Sequence, residues 1–304
     1  MRAVLPVLAV VTAIILIWYA ACVPMNIQGA LVQAERAGQA VEPADAAERR
    51  ATSSFVLVAR NTSAVPDTWA QDRPRLPAPH QVAVEMWDTI FSKKITSKRS
   101  LVYHGWVTLS ATLLGFAIGT GLGILLAVGI VHSRVMDMSV MPWAIVSQTI
   151  PIIALAPMII VVLYSVGVQG IIPKAVISAY LSFFPVVVGM VKGLRSPDAM
   201  QLDLLRTYNA SKSQGFWKLR LPASVPYLFA SLKIGIAASL VGAIVGELPT
   251  GAVAGLGARL LAGSYYGQTV QIWSALFAAA ILAASLVGLL GLMERAVLKR
   301  MGIA

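Results

Sequence analysis

Apolar residues in this chain come in long unbroken runs rather than at the spacings of half-buried elements. Runs of about twenty residues, the length a helix needs to cross the ~30 Å hydrocarbon layer of a bilayer, lie at about 4–22, 105–131, 140–166, 175–191, 227–246 and 269–293. They predict an all-α polytopic protein with about six transmembrane helices. Pro151 and Pro157 fall inside the third run and Pro185 inside the fourth, and each predicts a bend in a continuing helix. Gly167, Gly170 and Pro173 predict a tight turn between those two spans. Lys233 sits near one end of the fifth run, where its ammonium reaches the headgroups. Gly115, Gly119 and Gly123 repeat every four residues, so they share one helix face and let a neighbouring backbone approach; helix packing is the leading reading, ligand contact the other.

Between the runs the pattern changes. Residues 26–77 are dominated by Ala, Glu, Asp and Arg with no helical period, which predicts a polar loop, partly helical or disordered. Val82, Val84, Met86, Trp87, Ile90 and Phe91 return at helical spacing and predict a surface helix near 80–94. The expected organisation is a first transmembrane helix at 1–23, an extracytoplasmic loop at 24–100, and a membrane core at 101–300 containing a polar loop at 192–226.

Composition agrees with this pattern. Hydrophobic residues make up 58% of the chain and charged residues only 12%, a balance that needs lipid as solvent. The net charge of +11 then reads as basic loops anchoring helices, not as nucleic-acid binding, because no basic stripe is interleaved with aromatics. Lys192, Arg195, Arg206, Lys212, Lys218 and Arg220 on the 192–226 segment, with Arg295, Lys299 and Arg300 near the C-terminus, put that segment and both termini in the cytoplasm. The single cysteine, Cys22, excludes a disulfide framework and a thiolate metal site. Tyr19-Ala20-Ala21-Cys22 looks like a lipoprotein cleavage site, and the alternative is a small apolar residue at a helix end. His80, His104 and His132 lie at run ends or in loops, so no catalytic cluster and no metal site is expected.

The 192–226 loop is long enough to expect a task. Residues 201–208 read as a short helix and Asn209 as a chain reversal. Ser211 and Gln214 form a capping box for a second short helix that carries Phe216 and Trp217 and ends at Leu221-Pro222. The aromatic pair has two readings, a knob for a groove on another protein and a membrane-interface belt.

These residues resemble a family. The cytoplasmic loop of binding-protein-dependent ABC importer permeases has the form EAA-x3-G-x9-I-x-L-P. Asp203-Leu204-Leu205, Asn209, Leu219 and Leu221-Pro222 stand at those spacings, with leucines for the alanines and Asn209 for the glycine. Leu76-Pro77-Ala78-Pro79, Thr149-Ile150-Pro151 and Phe183-Phe184-Pro185 are similar to segments of the nitrate, sulfonate and taurine permeases, and Glu247-Leu-Pro-Thr-Gly251 to those of the pyrimidine or thiamine-precursor branch.

The resemblance implies a type I (MetI-like) permease of the bacterial inner membrane that carries a small polar solute. It implies a separate cytoplasmic ABC ATPase holding ATP and Mg, a second permease copy or paralogue, and a periplasmic or lipid-anchored binding protein. The chain itself would bind no cofactor and would not be an enzyme; it has no GxxxxGK[ST] run. Tyr164, Tyr180 and Glu247 are the candidates for the substrate pathway, with a hydrated carboxylate at the outer interface as the other reading of Glu247. The Gly-rich stretch from Gly251 to Gly257 reads as re-entrant or surface chain. A secondary transporter or channel is the competing class; it would need charges paired at mid-membrane, and the runs offer almost none.

Overall fold

The computed structural model describes residues 4–249 and 253–302. Among them there is no strand; the helices are α1 (Val4–Arg36), α2 (Ala46–Ala51), α3 (Ser54–Arg60), α4 (Pro79–Trp87), α5 (Leu101–His132), α6 (Arg134–Ser147), α7 (Ile152–Ser165), α8 (Ile171–Leu194), α9 (Ala199–Thr207), α10 (Lys212–Gly215), α11 (Leu221–Glu247), α12 (Leu256–Tyr265) and α13 (Thr269–Arg300). Five helices are long and apolar enough to cross a membrane: α1, α5, α8, the continuous Lys212–Glu247 helix and α13. The third run is not one kinked span. It breaks at Gln148–Pro151 into α6 and α7, bent by 100°. Proline kinks preserve a helix when neighbours take up the freed carbonyl, but Pro151 here opens α7 at its N-cap with extended backbone.

The described residues divide into two compact units, Met1–Val102 with Arg259–Ala278, and Tyr103–Ala258 with Ala279–Ala304. In the first unit, α1 runs fourteen residues beyond Cys22 to Arg36, and the expected polar loop is ordered. The side chain of Asn26 explains much of this. Its Nδ2 donates to the carbonyls of Thr68 and Leu76 at 2.9 and 2.7 Å, and its Oδ1 accepts from Leu76 N–H at 3.0 Å. Gln71 Nε2 donates to Asn26 O at 2.8 Å, and Gln81 Nε2 to Gln71 O at 2.8 Å. These bonds satisfy turn backbone that apolar periodicity cannot report. The Cys22 thiol is buried and donates to Pro77 O at 3.7 Å. The expected 80–94 helix forms as α4 followed by a wider π turn at Asp88–Ser92, with Val84, Trp87 and Phe91 exposed along one side.

The second unit is built on small residues. A methyl carbon added to Gly115, Gly119 or Gly123 of α5 would lie 2.6, 2.8 and 2.9 Å from the carbonyl oxygens of Ala175, Ala179 and Phe183 of α8. The two helices therefore run parallel with their backbones nearly touching. α8 also meets α11, antiparallel. Cβ atoms on Gly193 and Gly242 would lie 2.9 and 2.7 Å from the Cα atoms of Ser224 and Ser178. Ser178 Oγ donates to Ser239 O at 2.9 Å, and Ser239 Oγ to Thr112 O at 2.8 Å, linking the three helices across their shared core. Such contacts replace the hydrophobic drive that lipid does not supply.

Candidate functional site

The 192–226 segment is built from local chemistry. Asp198 and Gln201 form a reciprocal capping box that starts α9. The helix ends where Asn209, at φ +52°, is the one described non-glycine residue with positive φ. Asn209 N–H bonds Arg206 O and Ala210 N–H bonds Leu205 O, both at 2.9 Å, so the last carbonyls are satisfied by a left-handed turn. Ser211 Oγ then accepts Gln214 N–H at 3.2 Å and Gln214 Oε1 accepts Ser211 N–H at 2.8 Å, opening α10.

Leu221-Pro222 does not end this second helix. A π turn at Phe216–Arg220 joins α10 to α11, so one helix runs from Lys212 to Glu247, with Pro222 in the first turn of α11 and Pro226 further along it. Leu221 N–H reaches back five residues to Phe216 O. The wider turn relieves the clash that Pro222 would make with the carbonyl four residues before it.

The two aromatic residues separate. Phe216 packs inward, its ring 5.1 Å from His132, against the core cluster of Ala127, Ile130, Val187 and Leu194; only Trp217 is exposed. The outward face instead includes Met200, Leu204 and Tyr208, one helical stripe at i, i+4 and i+8, all exposed. Leu205 turns inward and lines a 360 Å³ cavity with His132, Leu202 and Phe216. Leu219 and Leu221 are half-buried, and Leu221 touches the same core cluster. Asp203 is exposed and pairs with Arg206 at 3.0 Å.

Glu247 is not a hydrated carboxylate. It is completely buried. Thr108 Oγ1 of α5 lies 3.0 and 2.9 Å from its two oxygens and donates to them, while accepting Leu256 N–H at 2.8 Å. Gly257 N–H donates to Oε2 at 2.9 Å, and the Lys174 ammonium of α8 stands 3.7 Å from Oε1 and donates to Ala254 O at 3.1 Å. Gly255, at φ +127°, and Gly257 leave room for this carboxylate: a Cβ on Gly255 would overlap its oxygens, and one on Gly257 would lie 2.8 Å from Glu247 Cβ. The end of the Gly-rich stretch thus opens α12 instead of forming irregular surface chain; Thr250, Gly251 and Ala252 fall outside the described residues.

Tyr180 likewise belongs to packing. Its hydroxyl donates to Ser147 O at the break between α6 and α7. Tyr164 is different: it is exposed and lines a 420 Å³ cavity with Trp106, Ser110, Lys174 and Val253. The membrane helices also hold charges that the sequence reading left unpaired. Lys233 of α11 bonds Glu294 of α13, so its ammonium meets a carboxylate instead of reaching for headgroups.

Sequence patterns missed Met200 and Tyr208, although their four-residue spacing from Leu204 was readable, and missed Thr108 and Lys174, which no local spacing connects to Glu247. Residues 119–303 match the family model described as binding-protein-dependent transport system inner membrane component. The formylaminopyrimidine transport permease protein ThiX of Halalkalibacterium halodurans is 34% identical over 182 residues, 60% of this chain and 68% of the relative. The riboflavin transport system permease protein RibX of Chloroflexus aurantiacus is 30% identical over 220 residues, 72% and 78% of the two chains. A putative aliphatic sulfonates transport permease protein, SsuC of Bacillus subtilis, is 24% identical over 224 residues, 74% and 77%.

Proposed function

Since the chain belongs to the family of binding-protein-dependent transport system inner membrane components, and so is a multi-pass permease subunit of an ABC importer, we propose that α9, α10 and the turn at Asn209 receive force from a separate ATP-hydrolysing subunit. The observation that carries this reading is the exposed apolar stripe Met200, Leu204 and Tyr208 along α9 and its C-cap, with Trp217 also exposed in the turn after α10. Exposed apolar side chains on a polar segment suit the groove of a partner. Phe216 joins the same segment to the core, so displacement of α10 is passed directly into the Lys212–Glu247 helix.

In this reading the 192–226 segment and both termini are cytoplasmic, and the chain performs no hydrolysis itself. ATP and its Mg belong to the partner. A second permease subunit completes the path, and a substrate-binding protein delivers the solute from the other side. Trp106 and Tyr164 with Lys174 and Ser110 support a flat, hydrogen-bonding solute such as a nitrogen heterocycle. Reconstitution of the chain in proteoliposomes with its hydrolysing and binding partners tests this. Accumulation of labelled pyrimidine is expected only with ATP enclosed on the side of the hydrolysing subunit; accumulation without that subunit would remove the proposal.

A further inference from the structure

A second candidate site lies in the first unit. A cavity of 880 Å³ is lined by Arg36, Arg49, Arg50, Arg73 and Arg75, with Glu35 as its one carboxylate. Glu35 is already taken: it pairs with Arg49, whose buried guanidinium also donates to the carbonyls of Pro43 and Ala44 at 2.8 Å. Arg75 donates to Gln28 Oε1 at 3.2 Å. Among the described residues no carboxylate lies within 4.0 Å of Arg36, Arg50, Arg73 or Arg75.

With Arg49 compensated by Glu35, four like charges around one cavity repel each other, and an anion reverses the sign of that interaction. Guanidinium forks match the oxygens of a phosphate in pairs. The position adds a second argument. Exposed apolar side chains of α1 begin at Leu5, and the cavity lining begins at Asn26 on the same helix. That interval is about 32 Å at ~1.5 Å per residue, one hydrocarbon thickness. The cavity therefore stands at headgroup level.

We propose that this arginine cavity binds a phosphate group, from an anionic phospholipid headgroup or a soluble phosphate ester. The inference needs α1 to span the membrane and is independent of the coupling proposal. Native mass spectrometry of the full chain released from nanodiscs of phosphatidylglycerol and phosphatidylcholine tests it, together with inorganic phosphate added to the detergent-purified protein. Phosphatidylglycerol is expected to remain bound. The triple variant Arg50→Gln/Arg73→Gln/Arg75→Gln should weaken that retention by about tenfold or more, each charge-assisted contact being a substantial part of the affinity. The changed side chains are on exposed residues, and an unaltered melting temperature in phosphate-free detergent serves as the folding control. Should that variant unfold, the single variants Arg50→Gln and Arg73→Gln each still predict weaker retention. Displacement of the lipid by millimolar inorganic phosphate assigns the site to soluble phosphate as well; no displacement assigns it to the lipid. Equal retention by parent and folded variants, with no response of either to phosphate, overturns the proposal.

Discussion

Glu247 is held by donors from three places: Thr108 on α5, Lys174 on α8 and the backbone of Gly257. Removing the carboxylate leaves the Thr108 hydroxyl and Gly257 N–H without their buried acceptor and the Lys174 charge without its counter-ion, so Glu247→Ala is expected to cost about 3 kcal/mol, measured as thermal or denaturant unfolding in detergent. Glu247→Gln retains one acceptor oxygen and should cost less. The carboxylate was legible in the sequence as an ionisable residue at a span end. Its partners were not, because Thr108 is 139 positions away and nothing local marks it. The same holds for Lys233 and Glu294, separated by 61 positions. Their side chains are only partly covered by the protein, at 32% and 20% exposure, so a double-mutant cycle should give a coupling of about 1–2 kcal/mol, between exposed and buried pairs. A charge swap, Lys233→Glu with Glu294→Lys, should recover most of what either single change loses.

At the level of elements, the spacing of Gly115, Gly119 and Gly123 was readable as a packing face, but the partner helix was not. Gly235, Gly242 and Gly246 of α11, seven and four residues apart, also share one face, and nothing in their spacing names the α8 residues Ser182, Ser178 and Lys174 that they meet. Gly119→Ala places a methyl 2.8 Å from Ala179 O and should destabilise the fold by about 1–3 kcal/mol. Gly121→Ala, on the same helix with nothing within 4 Å of the added carbon, should be neutral or stabilising by about 0.5–1 kcal/mol. Melting temperatures of the two variants in one detergent make the comparison. Prolines misled the sequence reading in opposite directions. Pro151 looked like a kink and is a break, while Pro222 looked like a stop and lies in a continuous helix because the π turn before it makes room. Proline fixes its own φ and removes one donor; whether the chain continues depends on the widths of neighbouring turns, which composition does not encode.

For the molecule as a whole, the family followed from the length of apolar runs and the spacing of Asp203, Asn209 and Leu221-Pro222, and five of the six expected spans form as single long helices, the third run being broken into α6 and α7. The exposure of the proposed docking residues was legible only in part, since Phe216 and Trp217, adjacent in sequence, pack on a core and face outward respectively. That division makes the central claim testable by one measurement, co-purification of the chain with its ATP-hydrolysing subunit from a common membrane extract. The triple variant Met200→Ala/Leu204→Ala/Tyr208→Ala is expected to release the partner while keeping the parent's melting temperature, and Phe216→Ala to lower the melting temperature. A triple variant that holds the hydrolysing subunit as firmly as the parent would contradict the account.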